Sequence, residues 1–268
     1  MATRSGKELA GTVKRSKAPA IARAAAVMRL LGKTDSPLSL QLIAKELDLV
    51  PSTCLYVLRA LVEEQLVAVD PDTKRYTLAA GVMTLARHWL SRDNFAHSAQ
   101  QHLDAITREF GVSSLGVQVF GLDHIVVVAT AVNNASFQLS AKLGSRFPAL
   151  ISATGRCIAA YAECNRDELR NRFEELRWDR APRYDNWLSE VESVIKRGYA
   201  IDDSNYIDGV TVVASPVWSH RGRTPSHALV AVGIGAALKK GNARQLGTAV
   251  REAAHRLSRD LGGREGLT

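Results

Sequence analysis

Two short segments with apolar residues at helical spacing meet at a corner near the start of this chain, and a turn-bounded pair of strand-like runs follows them. Leu40, Ile43, Ala44 and Leu47 recur at i, i+3, i+4 and i+7, which predicts a helix from Ser39 to Leu47. Ser39 suits its N-cap, because the hydroxyl can accept an unpaired first-turn N–H. After Asp48-Leu49-Val50, Pro51 opens a second helix at the one position where its missing N–H costs nothing. That helix turns Cys54, Val57, Leu58, Leu61 and Val62 inward and Ser52, Thr53, Leu55, Tyr56 and Arg59 outward. Val67-Ala68-Val69 and Arg75-Tyr76-Thr77-Leu78 flank the turn-rich Asp70–Lys74, a hairpin with Lys74 and Arg75 at its tip. Helix, turn, helix and hairpin in this order predict a winged helix-turn-helix, whose second helix enters the major groove of duplex DNA. Base-edge or phosphate contacts are expected from Ser39, Pro51, Ser52, Thr53, Leu55, Tyr56 and Arg59. Lys74 and Arg75 would meet phosphate.

The pattern extends in both directions. An opening helix, Ala18 to Leu31, turns Ile21, Ala24, Val27, Met28 and Leu31 inward, and Gly81 to Ser91 reads as a linker helix carrying Val82, Leu85 and Trp89. From about residue 95 the periodicity becomes mixed. Helices are predicted at Phe95–Phe110, Thr154–Ala162, Arg166–Phe173, Asp185–Arg197 and Asn242–Leu261. Strands are predicted at Ser114–Phe120, His124–Ala131, Ala135–Lys142, Tyr199–Asp202, Val210–Val217 and Leu229–Gly235. Without strict βα alternation, this order predicts an α+β domain with an antiparallel sheet and helices covering one face. The expected organisation is a basic flexible arm over 1–17, a DNA-binding domain over 18–80, a linker helix over 81–94 and a ligand-binding domain over 95–268.

Charge sharpens the first domain. Nearly the whole net charge of +8 precedes the corner: Arg4, Lys7, Lys14, Arg15, Lys17, Arg23, Arg29 and Lys33 face Glu8 alone. Such an arm supplies phosphate contacts without reading sequence. The three cysteines, Cys54, Cys157 and Cys164, have no metal-ligand spacing and fit a reducing cytoplasm. No apolar run is long enough to span a bilayer, so no membrane partner is expected. No nucleophile elbow, Walker loop or dinucleotide fingerprint is present, so no catalytic residue, metal or cofactor is expected.

Two sets of motifs resemble the IclR family of bacterial transcriptional regulators. The first is Leu38-Ser39-Leu40, Ile43-Ala44, Leu47-Asp48-Leu49 and Ser52-Thr53, running into Arg75-Tyr76-Thr77-Leu78. The second is Gly144-Ser145-Arg146-Phe147-Pro148, Ala153-Thr154-Gly155-Arg156, Arg197-Gly198-Tyr199-Ala200, Asp202-Asp203, Gly209-Val210 and Val213-Ala214-Ser215-Pro216-Val217. The resemblance covers almost all of the chain. It implies a winged helix-turn-helix, a linker helix and a GAF/profilin-like α+β effector domain. It also implies a cytoplasmic homodimer or homotetramer, nucleoid-associated when bound to a palindromic operator, that acts as a repressor or an activator of catabolic genes in response to a small organic acid or aromatic metabolite. An enzyme or small-molecule carrier tethered to DNA is the alternative from another class.

The resemblance places an effector pocket against the sheet, closed by Ile151-Ser152-Ala153-Thr154-Gly155. Free N–H groups at the start of a helix there suit a carboxylate, although Gly155 can equally serve tight packing. It carries Ser152, Ala153, Thr154, Gly155, Asp202, Val210, Val212, Gly233 and Gly235 over to the pocket, with Leu139 and Phe147 as apolar neighbours. Asp202 can alternatively be a turn carboxylate. Val212 stands where Cys is common, and Gly233 and Gly235 where Ser residues donate hydrogen bonds. These departures imply a bulkier effector with an apolar or aromatic body, such as an aromatic acid or its catabolite, and hence aromatic catabolism. The reading helix departs too, with Pro51 where Lys is frequent and Leu55-Tyr56 where His-Arg is. Gln65 stands where a helix-ending Gly is usual, so that turn is expected to differ.

Overall fold

The computed structural model describes residues 9–11, 13, 16–92, 94–132, 141–219, 222–234 and 240–263, without side chains at 88–92 and 240–241. The chain divides into two compact units, Met1–Arg92 and Asp93–Thr268.

In the first unit, α1 (Pro19–Leu31) precedes β1 (Leu38–Ser39), α2 (Leu40–Glu46) and α3 (Pro51–Glu63), and then come β2 (Val67–Val69), β3 (Arg75–Leu78) and α4 (Gly81–Arg92). The apolar stripes meet where periodicity places them: Val27, Ile43, Leu47, Cys54 and Leu58 are fully buried in one cluster. Ser39 Oγ accepts the Leu42 N–H, capping α2. The chain turns between α2 and α3 at Asp48, whose φ is 53°. The wing has three strands where two were expected, because Leu38 and Ser39 pair antiparallel with Tyr76 and Arg75 in the order β1-β3-β2. Ile21, expected inward, is 73% exposed, and α1 buries Ala26 and Leu30 instead. Leu9 and Val13 pack into the same cluster, within the stretch expected to be a basic flexible arm.

Gln65 keeps the left-handed turn after α3, with φ 57°. It does so without glycine, at a cost of about 1 kcal/mol. Leu66 N–H reaches back to Leu61 O at 2.9 Å, and the Gln65 carbonyl accepts from Gly81 N–H at 3.2 Å. A Cβ on Gly81 would stand 2.3 Å from that carbonyl oxygen, so the first residue of α4 lies directly on the end of α3.

The second unit is built on a six-stranded, fully antiparallel sheet in the order β6-β5-β4-β9-β8-β7. Its strands are β4 (Ser113–Phe120), β5 (His124–Ala131), β6 (Arg146–Pro148), β7 (Ala200–Asp203), β8 (Val210–Val217) and β9 (His227–Ile234). Helices cover both faces, not one. On one face, α5 (Asn94–Phe110) and α9 (Lys240–Asp260) pack Leu103, Leu246, Val250 and Leu257 onto Val213, Leu229 and Ala231. On the other, α6 (Ser152–Ala159), α7 (Arg166–Glu174) and α8 (Tyr184–Arg197) bring Cys157, Phe173, Trp187 and Val191 over Ala214, Ala228 and Val230. Burial on both faces explains why β8 reads as a continuous apolar run with little alternation. A register shift between Gly116 and Val117 switches β5 from one face to the other. Ile125 and Val127 therefore join the second core, and Ala129 and Ala131 the first. Residues 135–140 of the expected strand Ala135–Lys142 lie outside the described residues, and Ala141 and Lys142 form no strand.

Candidate ligand cavity and nucleic-acid interface

The face of the sheet that carries α6 is not filled. A cavity of about 390 Å³ lies there, and its walls are aliphatic: Leu115 and Val117 from β4, Ile125 and Val127 from β5, Val210 and Val212 from β8, Val230 and Val232 from β9. Phe147 of β6, Ile151 and Ile207 close it further. Its polar lining comes from Lys142, Ser145, Ser152, Thr154 and Tyr206.

Helix α6 begins at this wall. Its N-cap, Ile151, has no side-chain oxygen to satisfy the first-turn N–H groups. Ser152 enters the helix in the left-handed region, with φ 58°. One turn on, Arg156 is fully buried and is the hub of the region. Its Nε donates to Glu190 of α8, Nη1 to the Ser152 carbonyl at 2.9 Å and Nη2 to Asn205 Oδ1 at 2.9 Å. Asp202 lies 4.0 Å from the same guanidinium and accepts the Asn205 and Tyr206 N–H groups at 3.0 and 3.3 Å. Burial pushes the Asp202 carboxyl above the usual carboxylate range, against the pull of Arg156 and of these hydrogen bonds. The loop that carries Tyr206 and Ile207 to the cavity is pinned from outside as well. Asp179 N–H donates to the Tyr206 carbonyl, Arg180 N–H to that of Asn205, and Arg180 pairs with Asp208 at 2.9 Å.

Of the expected pocket residues, Phe147, Ser152, Thr154, Val210 and Val212 line the cavity. Ala153 packs into the core behind the wall. Gly155 does not line it either. A Cβ there would stand 2.0 Å from the Leu150 carbonyl, so its smallness serves close packing of α6. Asp202 is 1% exposed and spends both oxygens on loop N–H groups, the turn-carboxylate alternative. Gly233 pairs with Thr211 and points to the opposite face from the lining residues Val230 and Val232, a one-residue displacement that reverses side-chain direction. Leu139 and Gly235 lie outside the described residues. Leu115, Val117, Ile125, Val127, Val230 and Val232 were not anticipated, nor were Ala141, Lys142, Ser145, Tyr206 and Ile207; strand alternation carried the signal for the residues of β4, β5 and β9, and nothing local marked the others.

Cys157 is not a nucleophile in this setting. Burial pushes its thiol up to about 12, and Sγ donates to the Ala214 carbonyl. Among the described residues, no group of three or more His, Cys, Asp or Glu side chains gathers as a metal site, and no helix is long and apolar enough to cross a membrane.

In the first unit, α3 presents Pro51, Ser52, Tyr56 and Arg59 to solvent, Tyr56 at 70% exposure, with Thr53 and Leu55 half-buried beside them. Ser52, Tyr56 and Arg59 follow helical spacing and form one row. Ser39 directs its hydroxyl to the α2 cap. At the wing, Asp70 Oδ1 accepts from Asp72 N–H, Thr73 N–H and the Thr73 hydroxyl, which holds its carboxyl below the usual range. That turn projects Lys74, in the left-handed region at φ 53°. Arg75 instead donates to the Pro37 carbonyl at 3.1 Å and ties the wing to the approach of α2.

Two family models match this chain: the IclR helix-turn-helix domain over residues 20–71 and the bacterial transcriptional regulator IclR C-terminal domain over residues 87–259. The chain is 29% identical over 246 residues to a glycerol operon regulatory protein of Streptomyces coelicolor, covering 90% of this chain and 95% of that protein. An IclR transcriptional regulator from Alicyclobacillus acidocaldarius has the same fold, with a TM-score of 0.78 at 23% identity over 92% of this chain and all of the other. An IclR homolog from Microbacterium hydrocarbonoxydans, crystallised with 4-hydroxybenzoate, superposes with a TM-score of 0.74 at 16% identity, covering 90% of this chain and 98% of that one.

Proposed function

The chain belongs to the IclR family of bacterial transcriptional regulators, and we propose that its effector is a carboxylic acid with an apolar body the size of an aromatic ring. The observation that carries this reading is the cavity wall. Four strands present only aliphatic side chains to a space of about 390 Å³, while hydroxyls and one ammonium collect among the remaining residues. A hydroxyl buried without a partner costs roughly 2–7 kcal/mol on transfer from water, so a small polyol would lose more than these walls return. The relative named for a glycerol operon points the other way, and the IclR homolog crystallised with 4-hydroxybenzoate supports an acid that carries a ring. The first-turn N–H groups of α6 at Ser152, Ala153 and Thr154 suit the carboxylate, with the helix dipole behind them.

Duplex DNA is the other partner of this regulator class. In our reading α3 enters the major groove, Ser52 and Tyr56 face base edges, Leu55 meets a thymine methyl, and Arg59 and Lys74 hold phosphate. The protein acts as a homodimer or homotetramer on a palindromic operator. The effector moves the balance between assemblies only as far as its affinities for them differ.

Titration calorimetry on the whole protein tests the effector class. Benzoate and 4-hydroxybenzoate are expected to bind with micromolar affinity, and glyoxylate, pyruvate and glycerol not to compete. Tight binding of glycerol or pyruvate with no heat from the aromatic acids would overturn it. On the DNA side, Arg59→Ala should weaken binding to all operators alike and reduce the salt slope by about one. An unchanged slope with altered base preference would contradict a phosphate contact.

A further inference from the structure

We infer that Arg156 is a positioning residue for the effector, one that locks the start of α6 to the loop between β7 and β8 so that the two sides of the cavity rim are held as one piece; this rests on the reading of the cavity as the effector site. Arg156 does not itself line the cavity. It is fully buried and follows Ser152 by one helical turn, so its side chain lies behind the wall. Its three nitrogens each reach a different segment. Nε donates to Glu190 of α8, Nη1 to the Ser152 carbonyl at 2.9 Å and Nη2 to Asn205 Oδ1 at 2.9 Å. Two of those segments close the cavity: Ser152 and Thr154 line it from α6, and Tyr206 and Ile207 line it from the loop.

Each segment has a local need for such a tie. Ser152 stands in the left-handed region, which a residue with a side chain seldom adopts, and Arg156 holds its carbonyl there. The loop turns at Ser204, also left-handed with φ 64°. Ser204 N–H donates to the Val210 carbonyl at 2.9 Å, and Asp202 accepts the Asn205 and Tyr206 N–H groups, so the loop is folded on itself. The Asn205 amide then fastens that folded loop to α6 through Arg156. Lysine cannot stand in, because three separate acceptors need the rigid planar fork of a guanidinium and an ammonium is a single point. Asp202 and Glu190 flank the guanidinium, so its charge is spent on them and not presented to a ligand. Arg156 therefore acts on the ligand through shape. A rim already held in one arrangement binds without further ordering, whereas two sides that drift independently must be ordered by the ligand, and affinity falls.

The test uses the whole protein as wild type, Asn205→Ala, Arg156→Lys and the double variant. Asn205→Ala is the mild probe, since it removes one acceptor from a half-buried loop residue and leaves the Glu190 and Ser152 contacts in place. Amide hydrogen exchange on the unliganded protein should be faster in Asn205→Ala both at 204–207 and at 152–157, with the urea midpoint close to that of wild type. Faster exchange in the loop alone would show that the two sides move independently and would overturn the role of Arg156. In calorimetry, Asn205→Ala and Arg156→Lys should each weaken benzoate by about tenfold, and the double variant should lose no more than the worse single one. Additive losses, or unchanged benzoate affinity in Asn205→Ala, would overturn it too. Should Arg156→Lys fail to fold, Asn205→Ala carries both measurements. Wild type that binds neither benzoate nor 4-hydroxybenzoate would overturn the acid reading alone, and exchange at the two segments then decides whether Arg156 locks them.

Discussion

The two faces of the six-stranded sheet are made from neighbouring residues of the same strands, yet among the described residues one is buried under two long helices and the other borders a cavity. On the α5–α9 face, Leu229 and Ala231 of β9 are fully buried under Leu246, Val250 and Leu257. One residue along, Val230 and Val232 border empty space. The difference lies in the helices. Two long helices, of 17 and 21 residues, lie across the first face, whereas α6, α7 and α8, of 8, 9 and 14 residues, cover the second. The short set cannot fill every gap, and the loops holding Lys142 and Tyr206 close the remainder. A packed core and a candidate ligand cavity thereby lie on opposite faces, one side chain apart.

The most forceful way to test this separation is a pair of truncations in β9. Leu229→Ala should cost about 2–5 kcal/mol in urea unfolding, with ligand preference unchanged. Val232→Ala, at a wall that already borders space, should cost roughly 1 kcal/mol and shift preference towards larger acids. Similar costs for the two would erase the distinction between the faces. Next in size, Asp202→Ala strips the Asn205 and Tyr206 N–H groups of their acceptor and should cost about 1–3 kcal/mol for each group left unpaired. Weaker benzoate binding should accompany it, since Tyr206 would lose its position; loss of binding with full stability would instead make Asp202 a direct ligand contact.

The smallest effect concerns pH on the packed face. Burial, aided by Arg256 and opposed by Asp260, holds His102 of α5 below the usual histidine range. The folded protein therefore prefers it neutral. The stability this provides is fully present above the unfolded value of about 6.5 and is lost as pH falls towards the lower folded value. The urea midpoint should drop between pH 7.5 and 5.5, and His102→Gln should flatten that slope. An unchanged slope in the variant would assign it elsewhere.

Much of this was legible because periodicity survives wherever an element has one buried stripe. The α5 helix was expected at Phe95–Phe110 and spans Asn94–Phe110, and β5 and β8 have their expected bounds. The strands β1 and β6, of two and three residues, have no period to read and exist only as partners of β3 and β5. Ile21 has the apolar character of a core residue, but the surface of α1 it occupies stays open. The site was legible unevenly for related reasons. Motif resemblance located α6 and the β8 wall, because those stretches are compact in sequence. It pointed to Gly233, whereas β9 turns Val230 and Val232 to the cavity, and in a strand a displacement of one residue exchanges the two faces. Asp202 could not be decided locally, since its partners, Arg156 and the loop after β7, are set by the tertiary fold.

The contact between Gly81 and Gln65 has a mechanical consequence. A peptide hydrogen bond, with no room for even a methyl group between the chains, joins the first turn of α4 to the trailing end of α3. Twelve residues of α4 extend about 18 Å beyond that joint. With backbone against backbone and no side chain between them, the start of α4 and the end of α3 are stiffly joined, and glycine at position 81 is what allows that close approach.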